Sequence, residues 1–155
     1  MLIRAIKSED LNNITDWYKS FDDETAFMQN IPKSLKLNIG WSKNVLQSNR
    51  NIILIGEYDN KKIGLCKFTL NDTGDSAHVS VKISPEKFTQ ILYENLLIGA
   101  IKKYLVSNNV ELFSYVEPDD DYGIKFFESV GFVVENIESN QTRLKYIKNK
   151  LRFRS

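Results

Sequence analysis

The chain has a single imidazole, and its placement suggests chemistry. In "SAHVSVKIS" (76–84), Ala77, Val79, Val81 and Ile83 fall on one side and His78, Ser80, Lys82 and Ser84 on the other. Histidine changes charge near neutral pH without special tuning, so His78 is a candidate proton acceptor. The same pattern also suits a half-covered strand residue with no chemical role. Glu117 ends a later apolar stretch, "VELFSYVE", and is the second candidate base. Between them runs "ISPEKFTQILYENLLIGAIKKYL" (83–105), a strand that turns into a helix. A helix start has unpaired N–H groups and partial positive charge, which suits an anion. Ser84-Pro85-Glu86 is equally an ordinary helix start, with a cap, a proline at the first position and an acid in the first turn.

Composition narrows the function classes. The 155 residues are 42% hydrophobic and 26% charged, which predicts one globular domain over 1–148 followed by a short basic tail, 149–155. Net charge is +1, so no overall field draws the chain to nucleic acid or an anionic membrane, and neither is expected as a partner. The single cysteine, Cys66, excludes an internal disulfide framework and a cysteine-rich zinc site. It lies in the apolar run "KKIGLCKFTL" and reads as a small core residue. With one histidine besides, no metal is expected. The start, "MLIRAIKSED", lacks the apolar core of a signal peptide and no run approaches a membrane span, so a cytoplasmic location is expected.

The elements that must position these residues follow from periodicity. "LIRAI" reads as a first strand. Residues 8–21 form a helix opened by Ser8, Glu9 and Asp10, with Leu11, Ile14, Trp17 and Tyr18 on one face. A second amphipathic helix covers 33–47. Strands at 51–58 and 62–70 make a hairpin around Asp59-Asn60-Lys61, and "NDTGD" turns the chain into 76–84. A helix carries Leu92, Leu96, Leu97, Ala100, Ile101, Tyr104 and Leu105 on one stripe. Strand 110–117, a short helix closed by Gly131, and a hairpin around Ser139-Asn140 complete the chain. The terminal hairpin also offers an edge for pairing across a homodimer.

This order, with these local sequences, resembles the GNAT N-acetyltransferase superfamily from residue 1 to about 148. "KKIGLCKFTL" resembles the family's third strand, and "AHVSVKISPE" its fourth with the apolar-x-Pro-Glu ending. "DYGIKFFESVGF" resembles its fourth-helix signature, with Gly123 at the small position and Gly131-Phe132 at the end. The front, "ITDWYKSFDDETAFMQNIPKSLKLNIGW", resembles members that modify ribosomal-protein N-termini or nucleotide-linked amino sugars, with Trp17 and Trp41 in the usual places. The implied fold is a mixed α/β (α+β) one. A central, mostly antiparallel sheet of six to seven strands has helices on both faces and splays between its fourth and fifth strands.

The resemblance implies transfer of an acetyl group from acetyl-CoA to a primary amine of a small molecule, an amino sugar or a protein N-terminus. Its alternative is a GNAT-fold binding or accessory protein without activity. It implies that cofactor contacts fall at Ile83, Ser84 and Val116, and that His78 or Glu117 takes the proton from the amine. The family's phosphate turn, roughly Gln/Arg-x-x-Gly-x-Gly/Ala, falls on Phe88, Thr89, Gln90, Ile91, Leu92 and Tyr93. Ile91 and Tyr93 occupy both late glycine positions. Either the turn has ordinary helical dihedrals with these groups aside, or they fill the cradle. Phe127 stands where many members have a proton-donating tyrosine; Tyr122 is the substitute on offer. The resemblance also puts Asp120 and Phe127 among the cofactor contacts, although the three carboxylates of Asp119-Asp120-Asp121 would add repulsion near a pyrophosphate.

Overall fold

The computed structural model describes residues 1–7, 9–10, 14, 50–83, 90–138 and 140–147. The strands are β1 (Leu2–Ala5), β2 (Asn51–Tyr58), β3 (Lys61–Leu70), β4 (Ser76–Ile83), β5 (Glu111–Val116), β6 (Phe132–Glu138) and β7 (Gln141–Tyr146). The described helices are α1 (Gln90–Ser107) and α2 (Asp121–Val130). One seven-stranded sheet has the order β1-β2-β3-β4-β5-β7-β6. Every neighbouring pair is antiparallel except β4 and β5. Most boundaries fall where periodicity placed them. The first hairpin is tighter than read: Asp59 and Asn60 alone turn it, both with positive φ (54° and 62°), and Lys61 already pairs with Tyr58. The last strand runs Gln141–Tyr146.

α1 and α2 lie on one side of the sheet. Tyr93, Leu96, Leu97, Ala100, Ile101 and Tyr104 bury the α1 stripe, and Tyr104 stacks on Phe68 with ring centroids 4.1 Å apart. Leu96 seats against two glycines paired across β2 and β3, Gly56 and Gly64. A Cβ at Gly64 would stand 2.6 Å from the Lys82 carbonyl oxygen, which is backbone and has no room to yield. Gly64→Ala is therefore expected to cost about 2 kcal/mol by overpacking, read as a lower urea midpoint at unchanged slope. Cys66 is fully buried on this side and its thiol is pushed up by burial, so it is a core residue and no nucleophile.

The helices read at 8–21 and 33–47 lie outside the described residues, except Asp10 and Ile14, both helical. Ile14 is buried in the core. Asp10 is tied to Arg4 of β1 and Lys62 of β3. The terminal hairpin leaves β6 at the sheet edge, with Val134 and Ile137 exposed.

Candidate active site

β4 and β5 pair only at Ser76–Glu111, Ala77–Leu112 and His78–Phe113, then separate as the expected splay requires. At the fork the Ser114 hydroxyl donates to the Val79 carbonyl, 2.8 Å away. Beyond it the β4 edge has, among the described residues, no strand partner on the β5 side. β5 is held apart by β7, which pairs with it from Phe113–Lys145 to Val116–Thr142. The resulting cavity is about 210 Å³.

The wall has two characters, because each strand alternates. Val81, Val116 and Phe127 form its apolar part, on the α1/α2 side. His78, Ser80, Lys82, Glu117 and Gln141 form its polar part, on the other side. Thus His78 converges with Val116, Glu117 and Phe127, which lie some forty to fifty residues further along the chain. Lys82, Ser80, Ser114 and Gln141 were missed as site residues. Lys82 and Ser80 were legible on the polar face of β4, but a lysine there reads as solvated.

His78 stacks on Phe113 (centroids 5.5 Å) and lies beside Tyr115 (5.8 Å). Burial, and then the positive charges of Lys67, Lys82 and Arg143, push it down to about 4. Its imidazole is neutral at pH 7. The unfolded chain takes up its histidine proton near pH 6.5, so this burial contributes stability above about pH 6.5 that is lost as the pH falls toward 4. An NMR titration of this one histidine is expected to show a midpoint near 4; a midpoint near 6.5 would mean an open, solvated ring. Burial, and then Lys67, push Lys82 down to about 8, and burial lowers Lys67. Arg143 lies 3.9 Å over the Phe113 ring, donates to the Tyr115 hydroxyl (2.7 Å) and to Glu135 (3.0 Å).

The remaining candidates are placed as follows. Ser84, Phe88 and Thr89 lie outside the described residues. Gln90 is the first described residue of α1 and is exposed; Leu92 is half-buried. Ile91 is 66% exposed and Tyr93 only 1%, so one side chain points to solvent and the other into the core. Residues 90–93 are helical, with both bulky groups turned aside. Ile83 is fully buried beside Gly64, without lining the cavity. Asp120 caps α2: its carboxylate accepts from the Gly123 N–H at 3.0 Å. Tyr122 is exposed on the first turn of α2 and does not line the cavity. Gly131 ends α2 in the left-handed conformation (φ 113°), as its position predicts. Among the described residues, no group of His, Cys, Asp and Glu is placed to hold a metal.

The family described as "Acetyltransferase (GNAT) domain" matches residues 3–150. The chain belongs to this acetyltransferase family. GNAT structures of similar fold include a spermidine N-acetyltransferase SpeG chimera from Vibrio cholerae and hSSAT, with 18% identity, TM-score 0.72, and 97% of this chain and 98% of that one covered. A mutant of the Vibrio cholerae SpeG gives 18%, 0.71, and 99% of each chain. The Campylobacter jejuni N-acetyltransferase PseH gives 18%, 0.62, and 93% and 95%. No curated protein matches the chain in sequence. At these identities the likenesses establish the GNAT fold and not the acceptor.

Proposed function

We propose that the chain transfers an acetyl group from acetyl-CoA to a primary amine of a small molecule, an amino sugar or a protein N-terminus. The observation that carries this reading is the fork between β4 and β5, which stop pairing after His78–Phe113, with Glu117 and His78 within one cavity. The residues present fit the cofactor. The β4 edge beyond Val79, which among the described residues has no strand partner on the β5 side, is suited to an extended amide-bearing arm, as an added strand would be. Val116 and Phe127 supply an apolar wall beside it. Within α1, Ile91 points to solvent and Tyr93 into the core. When bound, acetyl-CoA supplies an activated thioester.

In this reading Glu117 takes the proton from the amine, directly or through water. His78 is the weaker candidate. Burial, and then the positive charges of Lys67, Lys82 and Arg143, disfavour its protonated form. The Ser114–Val79 bond holds the fork at a fixed point, so the proton acceptor and the strand edge keep their relative positions.

A non-catalytic binding role is favoured by one observation: Phe127, in the cavity wall, cannot return a proton to a leaving thiolate. Calorimetry and thermal shift with acetyl-CoA separate the two readings. Cofactor at a hundred times its dissociation constant should stabilise the fold by about 2.7 kcal/mol. No shift at millimolar acetyl-CoA would sink the transferase reading. Binding without CoA release over a broad amine panel would favour the binding role.

A further inference from the structure

We propose that the acceptor carries an oxygen on the carbon next to its amine-bearing carbon, an N–C–C–O unit, and that the Ser80 hydroxyl donates to that oxygen. This rests on the acetyltransferase reading of the same cavity and names its acceptor class.

Among the described residues, the Ser80 hydroxyl is the one buried side-chain oxygen or nitrogen without a hydrogen-bond partner. Such groups are uncommon in folded proteins, because a buried hydroxyl has given up water and needs a replacement. This one belongs to the cavity wall. The other hydroxyls of that wall are engaged. Ser114 donates to the Val79 carbonyl, and Tyr115 accepts from Arg143 and donates to Glu138.

The position of Ser80 assigns its hydroxyl to the acceptor. Ser80 alternates with Val79 and Val81, so it stands on the polar face of β4, across from the apolar wall of Val81, Val116 and Phe127. An arm added along the β4 edge would lie in the plane of the sheet and use backbone groups. Continued past its last pair, the β4–β5 register sets Ser80 level with Tyr115, and Lys82 level with Glu117. Ser80 is therefore two residues, about 7 Å along the strand, from the level of Glu117. Two hydrogen bonds of about 2.8 Å with an N–C–C–O unit between them cover that length. The nitrogen then faces Glu117 and the oxygen faces Ser80.

A serine hydroxyl has one O–H to donate and lone pairs that accept. An alkylamine or a polyamine brings N–H donors, and the lone pair freed by deprotonation is used in the attack on the thioester. Either would leave the Ser80 O–H unpaired. A hydroxyl or carbonyl oxygen beside the amine accepts it. Amino alcohols, 2-amino sugars and a peptide N-terminus share this unit, and a plain polyamine lacks it.

Calorimetry with acetyl-CoA comes first and reads the acetyltransferase proposal by itself. Urea unfolding without ligand then reads the orphan: Ser80→Ala should keep or raise the midpoint, since an unpaired buried hydroxyl adds nothing to stability. A clearly lower midpoint would mean that the fold itself uses the hydroxyl, and the proposal falls. CoA release is followed with amines paired by shape: 2-aminoethanol against propylamine, 2-aminocyclohexanol against 2-methylcyclohexylamine, and glycinamide against isobutylamine, with spermidine as the polyamine. The first two pairs stand for amino alcohols and ring amines, the third for a peptide N-terminus. Rates are compared per free base, because the oxygen lowers the basicity of the amine. The oxygen-bearing member of at least one pair is expected to have a kcat/KM about tenfold or more above its partner and above spermidine. Ser80→Ala should remove most of that preference and leave acetyl-CoA affinity unchanged, whereas a merely structural role would lower both members of a pair alike. If CoA is released but no pair shows the preference, or the preference survives Ser80→Ala, the oxygen-bearing acceptor is wrong and the transferase reading stands. If acetyl-CoA binds and no amine releases CoA, the proposal falls and the binding role gains. If Ser80→Ala weakens acetyl-CoA binding, the hydroxyl serves the cofactor and the proposal also falls. If acetyl-CoA does not bind, the transferase reading fails and this acceptor class fails with it.

Discussion

Glu117→Gln is expected to lower turnover on the order of a hundredfold or more while leaving acetyl-CoA affinity unchanged. The substitution keeps the size of the side chain and removes its ability to take a proton. Glu117 stands just past β5, at the cavity that also contains His78 and Lys82. The amine must lose a proton to become a nucleophile, and a positioned base contributes on this scale. His78→Gln is the matched comparison. Its imidazole is held near 4 by burial and three neighbouring cations, so its loss should reduce turnover much less. The pH–rate profile separates the two. An acidic limb that survives Glu117→Gln and disappears in His78→Gln would reverse the assignment.

The largest effect on stability should come from Asp10→Asn, at about 3 kcal/mol. The Asp10 side chain is 1% exposed and accepts two 2.9 Å bonds from the Arg4 guanidinium. Lys62 approaches it at 2.7 Å, and the Lys7 N–H donates to it at 2.7 Å. Arg4 also bonds Glu57 of β2 at 2.9 Å. One carboxylate therefore joins the start of the first helix to β1 and β3. Its neutralisation leaves Arg4 and Lys62 facing each other with one acid fewer, and a partner removed from a buried ion pair costs more than the pair contributes. The hydrogen bonds from Arg4, foremost, hold Asp10 well below the usual carboxylate range, against the effect of burial. The folded value is thus depressed. Its contribution is fully present above about pH 5 and is lost as the pH falls through the unfolded-chain range toward the folded one. Urea unfolding at pH 7 and near pH 3 should show the variant and the parent converging at the lower pH. A loss under about 1 kcal/mol at pH 7 would mean that water screens the cluster as it does a surface pair.

The chain's own residues determined a good deal locally. Alternation in "SAHVSVKIS" placed His78, Ser80 and Lys82 on one face of β4, since side chains of a strand point to opposite sides at period two. Gly131 stopped α2, and Asp59-Asn60 turned the first hairpin, because those backbone conformations favour those residue types. The ordered set of elements was enough for the family and the fork. Only the tertiary structure decided what surrounds the face. Lys67 meets Ser80 through the β3–β4 register, and Arg143 reaches His78's neighbours because β7, not β6, lies against β5. Which way Ile91 and Tyr93 point was likewise undecidable from the helix itself: the docking of α1 turned Tyr93 into the core and Ile91 to solvent. Periodicity is a property of a few consecutive residues. The charge and burial felt by one side chain are summed over strands that fold together from distant parts of the chain, so no local pattern contains them.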